Sequence, residues 1–329
     1  MENEISFARN VIKIIEDSRQ NALRKVNEEL IKLYWNVGAY LSKESESTSF
    51  GDAYIDSVVR EIQNAFPGIK GFNRRGLYRM KKFYETYCDD EFVTTVLTQI
   101  SWSNHLAIMS KAKTTEERHF YMTLCIKESY SARELDRQIN SGYYERYALS
   151  NEKILPKPIK ELKENPFIDS YVIEFLDLPK NFKESDLRKG LIQNMKNFIL
   201  EVGKDFTFVA EEYRIQVGGE DFWIDLLFFH RGLQCLVAFE LKVGKFKPEY
   251  ISKIDFYLEA LDRQKKKENE NPSVGIILCA SKDDEVVEYA MSRTMSPLMV
   301  AEYKLQLPDK VVLQKKLQEL VHMPWAEDA

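Results

Sequence analysis

Phe222-Trp223-Ile224-Asp225-Leu226-Leu227-Phe228-Phe229-His230-Arg231-Gly232-Leu233-Gln234-Cys235-Leu236-Val237-Ala238-Phe239-Glu240-Leu241-Lys242 reads as two apolar strands joined by a tight turn at Arg231-Gly232. Fully buried strands normally run as unbroken Val, Ile, Leu and Phe. Asp225, Glu240 and Lys242 interrupt these runs. An unpaired charge in such a place costs several kcal/mol, so charges there are usually paired or bound to a metal.

The hairpin register places the three charges. With a two-residue turn, His230 pairs with Leu233 and Asp225 lies opposite Ala238. Alternation sets Ala238, Glu240 and Lys242 on one face, and Asp225 joins them with Glu240 as its diagonal neighbour, roughly 7 Å away. A four-residue loop keeps this parity; a three-residue loop reverses it. Two acids so close repel unless a cation lies between them. Mg²⁺ takes one or two carboxylates, keeps waters and accepts phosphate oxygens. A lysine one step along can hold or deprotonate the attacking water, or neutralise charge building on a phosphate. A salt bridge between Lys242 and one acid is the bland alternative, and it leaves the other acid without a partner. The spacing points instead to metal-assisted phosphodiester hydrolysis, with Mg²⁺ as the expected ion and Mn²⁺ as the alternative.

Around the hairpin the pattern is mixed. A helix is expected over Ser185–Val202, strands over Phe206–Val217, Asp221–His230 and Leu233–Val243, and a helix from Pro248 to Lys267. A buried strand at Val274–Ala280, a short helix at Asp283–Met291 and a strand at Leu298–Leu305 follow. A two-residue Gly218-Gly219 turn places Glu212 opposite Asp225, either as an extra acid beside the metal or merely at the rim of the sheet. Tyr250, Lys253 and Tyr257 share one stripe of the helix after the hairpin. Lys253 there is a candidate for a DNA backbone, against core packing with a snorkelling lysine.

Upstream the periodicity is helical throughout. Ile12, Ile14 and Ile15 lead into Val26, Leu30, Leu33, Tyr34 and Val37, and a further helix stops at Pro67-Gly68. Asn73 can cap a helix running to about Tyr87. Leu77, Met80, Phe83, Tyr84 and Tyr87 lie on one side of it and Arg74, Arg75, Arg79 and Lys82 on the other. Six basic residues and no acid fall between Lys70 and Tyr84, a helix-turn-helix-like arrangement for DNA. Trp102, His105 and His119 read as core or interface residues, because no partner recurs at ligand spacing. Three prolines between Asn151 and Pro166 mark a linker. The expected division is a helical DNA-binding domain 1–150, a linker 151–166 and a catalytic domain 167–329.

At 329 residues two domains are the default. The net charge of −5 gives no global attraction for nucleic acid, so binding must come from a local basic surface. Four dispersed cysteines without a CxxC pair fit reduced thiols. With neither a signal peptide nor an apolar run of about 18 residues, the expectation is a soluble, cytoplasmic protein without a membrane partner.

Asp225 followed by Glu240-Leu241-Lys242 in an α-β-β-β-α-β frame resembles the PD-(D/E)xK nuclease superfamily. Phe208-Val209-Ala210, Val217-Gly218-Gly219, Pro248-Glu249-Tyr250 and Val300-Ala301-Glu302-Tyr303 resemble, more narrowly, the YhcG-like bacterial nuclease domain. Leu33-Tyr34-Trp35, Gly71-Phe72-Asn73-Arg74-Arg75, Ile100-Ser101-Trp102 and Tyr144-Glu145-Arg146 resemble its preceding helical domain. The resemblance implies an α+β protein: an all-α N-terminal domain, then an α/β restriction-endonuclease-like domain with a mixed sheet. It implies Asp225, Glu240 and the Leu241 carbonyl as metal ligands, Lys242 as catalytic lysine, and products with 5′-phosphate and 3′-hydroxyl ends. It often adds a helix glutamate, here Glu184 or Glu201; the motif proline is absent, since Ile224 stands in its place. The expected activity is a Mg²⁺-dependent DNA endonuclease. The rival reading is an inactive nucleic-acid-binding or assembly protein on the same fold. DNA is the expected partner; a homo-oligomer and protein partners in a DNA-processing or defence system stay open.

Overall fold

The computed structural model describes residues 2–45, 51–151 and 167–322. The chain divides into two compact units, residues 1–139 and 140–329. From residue 152 onward the expected linker lies outside the described residues.

The first unit is helical, with α1 Glu2–Glu44, α2 Asp52–Ala65, α3 Arg74–Tyr87, α4 Glu91–Val96, α5 Trp102–Lys111, α6 Thr115–Glu128 and α7 Ala132–Asn140 at its boundary. The α3 cap forms as the sequence predicts: the Asn73 side chain accepts from the Gly76 N–H at 2.8 Å. Leu77, Met80, Phe83 and Tyr87 are buried, and Tyr84 is half-buried. α1 crosses α3 so closely that a Cβ at Gly38 would stand 2.2 Å from the Met80 carbonyl oxygen. The link between α2 and α3 runs from Phe66 to Asn73, longer than the roughly three- to four-residue turn of a helix-turn-helix. α1 departs from expectation in its first half. Ala8 through Val26 are exposed, Ile12, Ile14 and Ile15 among them.

Trp102 packs on Tyr34 and Phe83, and His119 pairs with Asp90 at 2.6 Å. His105 is wholly buried, with Nε2 at 2.8 Å from the Leu97 carbonyl oxygen. Burial disfavours its imidazolium and, against that hydrogen bond, lowers its pKa from 6.5 to about 4. The folded pKa lies below the unfolded one, so its contribution to stability is full above pH 6.5 and is lost as pH falls from 6.5 toward 4. At about 1.4 kcal/mol per unit the loss comes to roughly 3 kcal/mol. Urea unfolding across this window is expected to show a steep acid loss in the wild type and a flatter one in His105→Gln. An equally steep variant would place the titrating group elsewhere.

The second unit holds α8 Tyr143–Asn151, β1 Ser170–Val172, α9 Glu184–Gln193, α10 Met195–Val202, β2 Phe206–Val217, β3 Glu220–His230 and β4 Cys235–Lys245. α11 Glu249–Gln264, β5 Val274–Ser281, α12 Asp284–Met291, β6 Leu298–Lys304 and α13 Lys310–His322 complete it. Among the described residues six strands lie in the order β1-β6-β5-β4-β3-β2. β2, β3 and β4 are antiparallel, and β4, β5, β6 and β1 run parallel. Ile251, Ile254, Tyr257, Leu258 and Leu261 of α11 cover one face, each large side chain stabilising by about 2 kcal/mol. On the other face Phe198 of α10 meets Phe228 and Phe239 at 6.0 and 5.8 Å.

Three local expectations change. The single helix over Ser185–Val202 breaks at Asn194, whose Nδ2 donates to the Gly190 carbonyl and competes with the helical ladder. β1, three residues on a parallel edge, and α13 carry too little periodicity to be read from sequence. The β3–β4 turn holds four residues, because His230 pairs with Cys235. Neither Arg231 nor Gly232 takes the positive φ that a two-residue turn of the primed type needs; Gln234 takes it, at 51°. Leu233 N–H donates to His230 Nδ1 at 3.0 Å, and Asn271 Nδ2 donates to the Leu233 carbonyl at 2.8 Å. The register moves by two and parity survives. By contrast Gly218 and Gly219, at φ 61° and 87°, form the expected two-residue turn.

Candidate active site

β3 and β4 part company at the site. Their pairing is regular from His230↔Cys235 to Leu226↔Phe239. The ladder ends there, one residue short of Asp225 and Glu240. Beyond this point β4 continues beside β5, with Glu240↔Ile277 and Lys242↔Cys279. The Leu241 N–H is left to donate to Asp225 Oδ2, at 2.9 Å. Leu241 thus meets the site through its N–H.

Glu240 is 1% exposed. Its Oε1 takes two ammonium groups, Lys242 at 2.8 Å and Lys253 at 2.5 Å. Its Oε2 is buried and has no hydrogen-bond partner. Lys242 also reaches Glu184 Oε2 at 3.0 Å. Burial opposes the charge on Lys242, but the hydrogen bond and charge of Glu240, with Glu184 behind them, outweigh it and hold the ammonium above the ordinary lysine range. Lys253 is raised in the same way, burial opposing and Glu240 prevailing. Held so, Lys242 carries its proton at neutral pH, which suits charge neutralisation better than proton abstraction.

α9 supplies two residues on one face, Glu184 and, one turn on, Arg188. Of the two helix glutamates left open by the sequence, Glu184 contacts Lys242, whereas Glu201 has other partners. Glu201 is wholly buried elsewhere, accepting from Arg146 Nη1 at 2.6 Å and the Val172 N–H at 2.7 Å. Arg188 was not foreseen. Its Nη1 lies 3.3 Å from Asp225 Oδ1 and its Nη2 2.7 Å from Glu212 Oε1. The expectation that one acid lacks a partner is therefore corrected, since Arg188 and Lys253 supply cations from outside the hairpin. Arg188 was findable as the residue four along from Glu184.

Among the described residues no three His, Cys, Asp or Glu side chains are grouped to hold a metal. The buried Glu240 Oε2, which lacks a protein partner, with Asp225 held on the neighbouring Leu241 N–H, fits an ion of the Mg²⁺ kind, which needs only one or two protein ligands. Tyr257 is core, 3% exposed, with the Lys253 ammonium 5.5 Å from its ring centre. Arg74, Arg75, Arg79 and Lys82 all lie on α3 of the first unit. Arg75 and Lys82 are exposed and Arg79 half-buried, while Arg74 is 3.6 Å from Asp56.

A mixed sheet of this order, carrying Asp225 and Glu240-Leu241-Lys242 where its antiparallel and parallel halves meet, is the restriction-endonuclease-like fold of PD-(D/E)xK nucleases. Residues 164–318 match the family model described as the YhcG PDDEXK nuclease domain, and residues 10–146 match the DUF1016 N-terminal domain. The two matched regions follow one another along the chain. It is 28% identical to "Putative nuclease YhcG" of Escherichia coli (strain K12) over 93% of this chain and 92% of that protein. Among solved structures it is similar to a repair endonuclease from Pyrococcus abyssi, at 18% identity and a TM-score of 0.26, over 40% of this chain and 50% of that one. The apo form of EndoMS aligns at 15% identity and 0.26, over 40% and 49%. The chain thus spans about half the length of those structures. No helix among the described residues is long and apolar enough to cross a membrane.

Proposed function

We propose that the second unit is a divalent-metal-dependent endonuclease that hydrolyses DNA phosphodiester bonds. The observation that carries this reading is the Glu240 carboxylate, 1% exposed yet with Oε2 unpartnered, beside the Leu241 N–H that holds Asp225. Asp225, Glu240 and the Leu241 carbonyl would hold Mg²⁺ or Mn²⁺. Such an ion, when bound, lowers the pKa of a water and neutralises phosphate charge. The Leu241 N–H fixes the angle of Asp225. Lys242, anchored by Glu240 and Glu184, keeps a positive charge where the phosphate gains negative charge. Lys253, half-exposed, is placed to meet a backbone phosphate. The helical domain would position DNA through Arg74, Arg75, Arg79 and Lys82. A second reading, a DNA-binding or assembly protein on this fold, draws on the fact that Asp225 and Glu240 each have a cation from the chain itself.

The test is cleavage of supercoiled, linear and branched DNA with Mg²⁺, Mn²⁺ or EDTA. Cleavage is expected with either ion, none in EDTA, and none with Asp225→Asn. Tight DNA binding without cleavage of any substrate would favour the second reading. Cutting that persists in EDTA would remove the metal from the mechanism.

A further inference from the structure

Arg188 contacts Asp225 but has no role in that chemistry. Its side chain is 15% exposed and its fork is shared between Asp225 and the 56%-exposed Glu212. Its Nε is buried without a hydrogen-bond partner. Glu212 is itself strained, a non-glycine residue at φ 43° in a left-handed region that L side chains avoid. It also drops out of the β2–β3 ladder, which pairs Glu211↔Leu226 and Tyr213↔Ile224 on either side. The distortion lies opposite Asp225 and brings the Glu212 carboxylate to Arg188.

We propose that Arg188 is a positioning residue, the removable counter-cation of Asp225, which yields to a divalent ion by shifting onto Glu212. The inference rests on Asp225 being a metal ligand. Asp225 Oδ2 is committed to the Leu241 N–H, so Oδ1 is the oxygen left for an ion, and Arg188 stands on it. A guanidinium cannot shed its proton, so it must move aside. Glu212, at the exposed end of the fork, is the acceptor that keeps it paired when it does.

The two side chains therefore act with opposite sign on metal affinity. Calorimetric titration of Mn²⁺ into the full chain reads this directly, without any cleavage. Arg188→Gln is expected to bind Mn²⁺ about tenfold more tightly, within the usual range of coupling between sites. Arg188→Lys, which keeps the charge, should stay near the wild type. Glu212→Gln should bind several-fold more weakly, and this loss should vanish in the Arg188→Gln background, because Glu212 acts through Arg188. Melting curves establish that each variant is folded. Unchanged or weaker binding in a folded Arg188→Gln overturns the proposal. So does a Glu212→Gln loss that persists without Arg188, which would make Glu212 a ligand itself. Mn²⁺ binding in Asp225→Asn equal to the wild type, or no binding by the wild type, would instead bring down the metal site and this inference with it.

Discussion

Lys242→Met is expected to cut DNA about two to three orders of magnitude more slowly than the wild type while remaining folded. The magnitude is that of losing one fixed electrostatic group in a site of developing charge. The fold should survive because Glu240 keeps a second ammonium, Lys253, on the same oxygen. Removing the only partner of a buried acid would be far costlier. The methionine retains most of the stem that lies beside Tyr250, whose ring centre is 5.3 Å from the Lys242 ammonium. Gel-based rates on plasmid DNA, paired with thermal melts of the same samples, separate the two effects. Wild-type cleavage by Lys242→Met would sink Lys242 as the catalytic lysine and turn attention to Lys253.

Glu201→Ala is expected to do the reverse, lowering stability by about 3–5 kcal/mol, the usual cost of stripping one partner from a buried ion pair. Glu201 and Arg146 are both almost wholly buried, with side chains 0% and 2% exposed. The substitution also removes the Glu201 acceptor of the Val172 N–H. For a domain of this size the midpoint should fall by roughly 10 °C. Well below that midpoint the variant should still cut DNA, since its partners Arg146 and Val172 lie outside the catalytic set. Arg146→Ala should cost a similar amount, and the double variant less than the sum. A normal melt with lost cleavage would return Glu201 to the catalytic set.

Glu184 and Glu201 show where sequence reasoning stops. Both are glutamates near the ends of one apparent helix, and nothing in their spacing separates them. The break at Asn194 and the partners on each side decide it: Lys242 for one, Arg146 for the other. Arg146 was legible only as part of Tyr144-Glu145-Arg146, in what reads as the helical half. In the structure it belongs to the second unit, donating to Ser170 as well as Glu201.

By itself the sequence determined the strand pair and the charges set into it. A period of two is insensitive to whether the turn holds two residues or four, so the parity argument survived a wrong turn length. It also determined the α3 cap, the basic face and the strand order in the chain, since capping and alternation are local. What tertiary structure alone decided was which charges meet. Asp225 takes the Leu241 N–H, between Glu240 and Lys242 in the chain, where the β3–β4 ladder has ended. Arg188 and Lys253 reach those acids from helices 37 and 13 residues away in sequence. Side chains brought together by packing across a sheet leave no periodic trace in the chain, and Arg188 and Lys253 are of that kind.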